Sequence, residues 1–150
     1  MKKILQTSQG FTLVELLMAV IILGFVLVGL IQVFLQCSVL AELSSNKTTA
    51  MSELQGKMEE IRNSTYSSIA GTYDNATFDL SQLTGKGVID VDSTNADLLE
   101  IKIVASWQNK YGRIIGEDLN LDGVLDAGED TDGDGALSSI ATLMTKIASR

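Results

Sequence analysis

The sequence predicts an α+β protein: a long N-terminal helix, transmembrane in its first half, packed on a small antiparallel β-sheet head with an inserted acidic loop. Three observations predict it. Every residue from Leu16 to Ile31 is apolar or glycine, the texture of a helix in hydrocarbon. Met51, Leu54, Met58 and Ile61 then recur at steps of three and four, one apolar stripe along a helix. Further on, Ile101, Ile103, Ala105 and Trp107 alternate with Glu100, Lys102 and Ser106, the period-two pattern of a half-buried strand.

The 150 residues suffice for one membrane segment and one small domain. A net charge of −8, from 19 acidic and 11 basic residues, lacks the clustered Lys and Arg of phosphate-backbone binding, so no nucleic-acid partner is expected. The acidic surplus is local. Eight carboxylates (Glu117, Asp118, Asp122, Asp126, Glu129, Asp130, Asp132 and Asp134) stand in one stretch without a Lys or Arg, and the other 11 acids match the 11 bases. The single cysteine, Cys37, excludes an intrachain disulfide; just past the apolar run, it reads as a small buried packing residue. Histidine is absent, which removes the commonest general base. No catalytic acid pair stands out in the head, so the chain reads as non-enzymatic.

Taken in order, residues 1–10 are short and polar, with Lys2 and Lys3 their only charges. Positive residues beside an apolar segment stay cytoplasmic, so the chain runs N-inside, C-outside. Residues 11–35 are the greasy stretch, and a helix of that length spans about 37 Å, enough to cross a bilayer with some tilt. The run is too long for an ordinary secretory signal, and no small-x-small cleavage pattern follows it. With no proline to interrupt it, one helix is expected from Phe11 to Asn63. Its residues 36–63 lie outside the bilayer and pack their stripe on their own domain. Residues 64–150 form the head, with the acidic loop at 117–135. GVIDV (Gly87 to Val91) reads as one strand and LLEIKIVASWQN as another; the intervening DSTNAD is a turn, so the two form a hairpin. In the last stretch, Ile140, Leu143, Met144 and Ile147 fit a helix, whereas the Thr and Ile content suits a strand.

One residue breaks the apolar pattern. Glu15 lies inside the greasy stretch, where an ionised carboxylate costs at least ~2.5 kcal/mol. A basic leader ending in Gly10, then FTLVELLMAVIILG, then a long amphipathic helix and a β-rich head closely resembles the type IV prepilin family, the pilins and the pseudopilins of type II secretion. The resemblance implies that Gly10 precedes the bond cut by the prepilin peptidase on the cytoplasmic side. Phe11 would become the N-methylated terminus, and Glu15 would neutralise the terminal ammonium of Phe11 on a neighbouring subunit. In low dielectric, pairing those two charges is strongly preferred over leaving either alone. The resemblance also implies an inner-membrane subunit, with the lipid bilayer, an assembly platform and other pilin or pseudopilin subunits as partners. The finished filament would stand in the periplasm or at the cell surface. KMEEIR and IVASWQNKYGR look like the minor pilins or minor pseudopilins, in which a Trp-bearing strand, a Gly-Arg turn and a last strand close the sheet. That favours a strand for Ile140 to Ile147. The chain departs from many major pilins in having Gln32 where they carry a proline, although Gly24 and Gly29 allow some loosening. The rival reading is a monomeric, membrane-tethered calcium-binding or adhesive domain that keeps its leader and does not polymerise.

Calcium enters through EDLNLDGVLDAGEDTDGDGALSS. Counted from Asp118, oxygen ligands fall at Asp118, Asn120, Asp122 and Asp126, with Gly123 sixth, Leu125 eighth and Glu129 twelfth. This is the spacing of an EF-hand calcium loop, in which the Val124 carbonyl adds an oxygen and Glu129 closes the shell with two. A second copy follows directly, with Asp130, Asp132, Asp134, Gly135 and Leu137 at the same offsets, but its twelfth residue is Ala141. It would be weaker or borrow ligands from the first. One calcium ion is expected in the first loop and a second, less firmly held, in the next. No room is left for a helix between them, so this is an EF-hand-like insertion between the Trp107 strand and the C-terminal segment. Its role would be to order a long loop.

Overall fold

The structure is a computed structural model and describes residues 10–149. The expected leader, residues 1–10, lies outside the described residues except for Gly10. Seven elements follow in order: α1 Leu13–Arg62, α2 Tyr66–Tyr73, β1 Ala76–Asp79, β2 Gly85–Asn95, β3 Leu98–Gln108, β4 Ile114–Ile115 and β5 Ala141–Ala148. The chain divides into two compact units, Met1–Ala41 and Glu42–Arg150.

In the first unit α1 is a bare apolar helix. Its most apolar 18 residues have a mean hydropathy of 2.9 and none is buried, and every described side chain up to Ala41 is exposed. Water would solvate such a surface at great cost, so lipid or other apolar helices are its natural surroundings. The expectation that Cys37 packs in an interior is corrected: it is exposed, because nothing in its own unit folds over this part of the helix.

The second unit holds the core. Ala50, Leu54, Met58 and Ile61 are buried along α1, and Met51 is half-buried, so the stripe read from the sequence is the packed face with Ala50 added. It meets Leu99, Ile101, Ile103, Ala105 and Trp107 of β3 in one cluster. Fully burying a side chain such as Leu54 or Ile101 contributes roughly 1.5–3 kcal/mol. The sheet is antiparallel throughout, in the order β1-β2-β3-β4, with β5 also paired to β3. The central strand β3 therefore has β2 on one edge, and β5 followed by β4 on the other. The last segment is a strand, Ala141 facing Ala105 and Ala148 facing Leu98; its helical spacing yields to the free ladder of β3.

The hairpin forms as expected, but its turn is shorter. β2 runs on to Asn95, with an irregularity between Asp92 and Asn95, where the Thr94 amide donates to Asp92 Oδ1 at 2.8 Å. Partnering with β3 extends the strand through residues whose composition alone reads as a turn. Two elements were not visible in the sequence. The short α2 hides in Ser- and Thr-rich sequence and is pinned by buried Ile69 and by the Tyr66 hydroxyl donating to the Ala96 carbonyl at 3.0 Å. β1 is four residues long and exists by pairing with β2.

The outer face of β3 holds another departure from simple alternation. Val104 and Ser106 are buried as well, because the acidic segment lies over them. A Cβ on Gly116 would stand 2.2 Å from Ser106 Oγ, and Val104, Leu125 and Leu137 share the wall of a cavity of ≈ 410 Å³.

Candidate functional site

Two groups of residues carry chemistry, one in each unit. In the first unit, Gly10, Phe11 and Thr12 precede the helix and are exposed. Thr12 is the cap of α1: its hydroxyl accepts the Glu15 amide at 3.3 Å and its carbonyl accepts the Leu16 amide at 3.1 Å. Glu15 thus sits in the first helical turn, where the helix dipole favours a negative charge. Among the described residues, no hydrogen bond or ion pair engages its carboxylate.

In the second unit, residues 117–140 join β4 to β5 without helix or strand, and their backbone is organised by their own carboxylates. In the first loop, Asp118 accepts the amides of Asp122 and Gly123 at 3.1 and 2.9 Å. Asn120 Oδ1 accepts the Asp122 amide at 3.0 Å, and Asp122 Oδ1 the Val124 amide at 2.8 Å. The second loop follows nearly the same scheme twelve residues on, except that Asp130 takes the amide three residues ahead where Asp118 takes the one four ahead. Asp130 accepts the Gly133 and Gly135 amides at 2.6 and 3.1 Å; Asp132 accepts that of Asp134 and Asp134 that of Ala136. The left-handed backbone positions repeat too: Leu121 and Gly123 in the first loop, Gly133 and Gly135 in the second. Gly123 also meets a tight neighbour, since a Cβ there would lie 2.5 Å from the Thr77 methyl.

The closing acids complete the correspondence. Glu129 accepts the Leu119 amide at 2.7 Å and the Asp126 amide at 3.0 Å, the second and ninth residues of the first loop. Glu117 accepts the Thr131 and Ser138 amides, both at 2.9 Å, the second and ninth residues of the second loop. The Thr131 hydroxyl also donates to Glu117. Each glutamate amide in turn donates to the ninth carbonyl of the loop it closes, Asp126 or Ser138. Glu117 therefore does for the second loop what Ala141 cannot. Oxygens of Glu117, Asp130 and Asp132 lie within 4.8 Å of one another, a spacing from which one cation could be reached by all three. Spacing counted forward from Asp130 misses Glu117 because it precedes the first loop. The signal was nonetheless present: Gly116-Glu117-Asp118 returns as Gly128-Glu129-Asp130, and both glycines have positive φ.

Electrostatics distinguish the members. Asp118 is fully buried; burial pushes its carboxyl up, against the pull of the Gly123 and Asp122 amides, and the Glu129 charge adds to the rise. Glu117 is held low by the Thr131 hydroxyl and by backbone amides that outweigh its burial. Asp134 is held low by the Ala136 amide and by Lys102, whose ammonium lies 3.5 Å away. Asp134 is thus drawn towards the sheet and stands apart from the Glu117 group. In the first loop the Asn120 amide donates to Asp122 and Asp126 at 2.9 and 3.0 Å, bridging two carboxylates. Val124, the seventh residue, has an exposed side chain.

Residues 5–31 match the family model of the prokaryotic N-terminal methylation motif, the type IV prepilin signature. The match spans Gly10, Phe11 and Glu15. It supports a type IV pilin-like protein, which implies processing by a prepilin peptidase and assembly with other pilins. Together with the apolar helix it fits a membrane-anchored pilin. No curated protein and no solved structure matches the chain.

Proposed function

We propose that the chain is a non-enzymatic minor pilin or pseudopilin, cut after Gly10 and assembled into a type IV pilus or type II secretion filament. The observation that carries this reading is the methylation motif at residues 5–31, ahead of a helix whose apolar surface is uncovered up to Leu40. Cleavage leaves an ammonium on Phe11, four residues before Glu15. In apolar surroundings that ammonium and the Glu15 carboxylate of a neighbour stabilise each other, and so set the register of an otherwise featureless helix. Shearing surface material from cells with and without prepilin peptidase tests assembly. The chain is expected in the sheared fraction only when the peptidase is present; equal amounts in both would overturn the reading.

The head is proposed to bind calcium in its double loop. Asp118, Asn120, Asp122, Val124, Asp126 and Glu129 would hold the first ion, with Val124 contributing its carbonyl. Asp130, Asp132 and Asp134 with Glu117 would hold the second, more weakly because Lys102 competes for Asp134. Support comes from the matching hydrogen-bond schemes of the two loops and from eight carboxylates that repel one another without a cation. The role is structural: it fixes a connection that covers the outer face of β3.

A further inference from the structure

We infer that Thr12 is a positioning residue for leader removal, holding the Gly10–Phe11 bond in non-helical chain where a peptidase can take it. The inference rests on the processing reading above. Cleavage adds one water across that bond, leaving a carboxylate on Gly10 and an ammonium on Phe11. To bind it, a peptidase needs the backbone groups around the bond free, since an extended substrate is recognised through its own amides and carbonyls. A helix that begins at Phe11 ties up the Gly10 and Phe11 carbonyls internally and fixes the chain out of the extended form, although its first amides stay free.

The boundary of α1 decides which case applies. Helical residues begin at Leu13, and Gly10 to Thr12 lie outside. The Thr12 hydroxyl on the Glu15 amide is the bond that stops the helix there. Thr12-Leu13-Val14-Glu15 has the spacing of a capping box, with the Thr12 arm formed. Replacing Thr12 by alanine removes the acceptor and inserts the best helix former. Both changes favour extending the helix to Phe11, with Gly10 as the next residue that resists it. The Glu15 carboxylate is unaffected, so its part in assembly and the part of Thr12 in processing are separable.

The test uses the full-length precursor in membranes with purified prepilin peptidase. Thr12→Ala is expected to slow cleavage about fivefold, the size of one helix cap, and Thr12→Ser to restore the wild-type rate. The Phe11 Cα chemical shift is expected to move towards helix in Thr12→Ala and to stay in place in Thr12→Ser. Wild-type cleavage of Thr12→Ala, or equal slowing in both variants, would overturn the positioning role. A wild-type precursor that is not cut at all would instead overturn the processing reading, and this inference with it.

Discussion

Two regions carry the carboxylates that matter here, and they handle them in opposite ways. In the acidic segment, the buried carboxylates are met by backbone amides of their own chain: Asp118 by two, Glu129 by two, Glu117 by two and a hydroxyl. In the apolar helix, Glu15 has no such partner among the described residues, although lipid would isolate it more completely. The difference separates an internal job from an external one. On the proposed reading, carboxylates engaged by their own loop preorganise oxygens for a small cation that enters between them. On the same reading, a carboxylate left alone in a greasy helix finds its counter-charge on a second molecule.

The largest expected effect breaks this contrast at Glu15. Glu15→Leu should leave membrane insertion and the melting of the head unchanged, yet reduce incorporation into sheared filaments at least tenfold. Normal incorporation of the variant would remove the external role. Next, the two loops can be separated by their closing acids. Calcium at ten times its Kd should stabilise the head by about 1.4 kcal/mol, a rise on the order of 5–10 °C in Tm for a domain of this size. By titration, Glu129→Gln should weaken the first site roughly tenfold or more and Glu117→Gln the second. A Tm indifferent to calcium, or a Glu117→Gln variant that weakens only the first site, would contradict the assignment.

A smaller effect is expected at Leu121, which holds a φ of 59° where the second loop has Gly133. Leu121→Gly should relieve up to about 1 kcal/mol of left-handed strain, partly offset by the extra freedom of the unfolded chain. A Tm fall of several degrees would show that the Leu121 side chain matters more than its backbone. The smallest effect concerns Glu42, whose carboxyl is held below its ordinary value near 4.5 mainly by its hydrogen bond to Lys110. A depressed folded value stabilises above the unfolded value and is lost as pH falls through the folded one. The stability difference between wild type and Glu42→Gln should therefore be present at neutral pH and shrink below about pH 4.5. A difference that grows on acidification would reverse the sign.

What the sequence shows is what repeats locally. The apolar run, the stripe through Leu54, Met58 and Ile61, and the alternation through Ile101 and Trp107 are periodicities set by the geometry of single elements, and each appears where it was read. The β5 strand was legible only through resemblance, because its helical spacing is overridden by pairing with β3. α2 and β1 were illegible because their reasons are tertiary: a buried Ile69 and a partner strand. Burial of Val104 and Ser106 depends on a segment ten or more residues away folding back over them. Glu117 shows the same limit most clearly. Counting from Asp130 cannot find an acid that precedes the whole array, whereas the repeated Gly-Glu-Asp could have.

The central claim is that Gly10 is the end of a leader and Phe11 the start of the working subunit. The mass of the N-terminal peptide, taken from cells with their own prepilin peptidase, tests it most directly. A peptide beginning at N-methylated Phe11 is the predicted result. A peptide that still carries residues 1–10 would contradict the account, leaving Glu15 without its counter-charge and the helix as a simple tether.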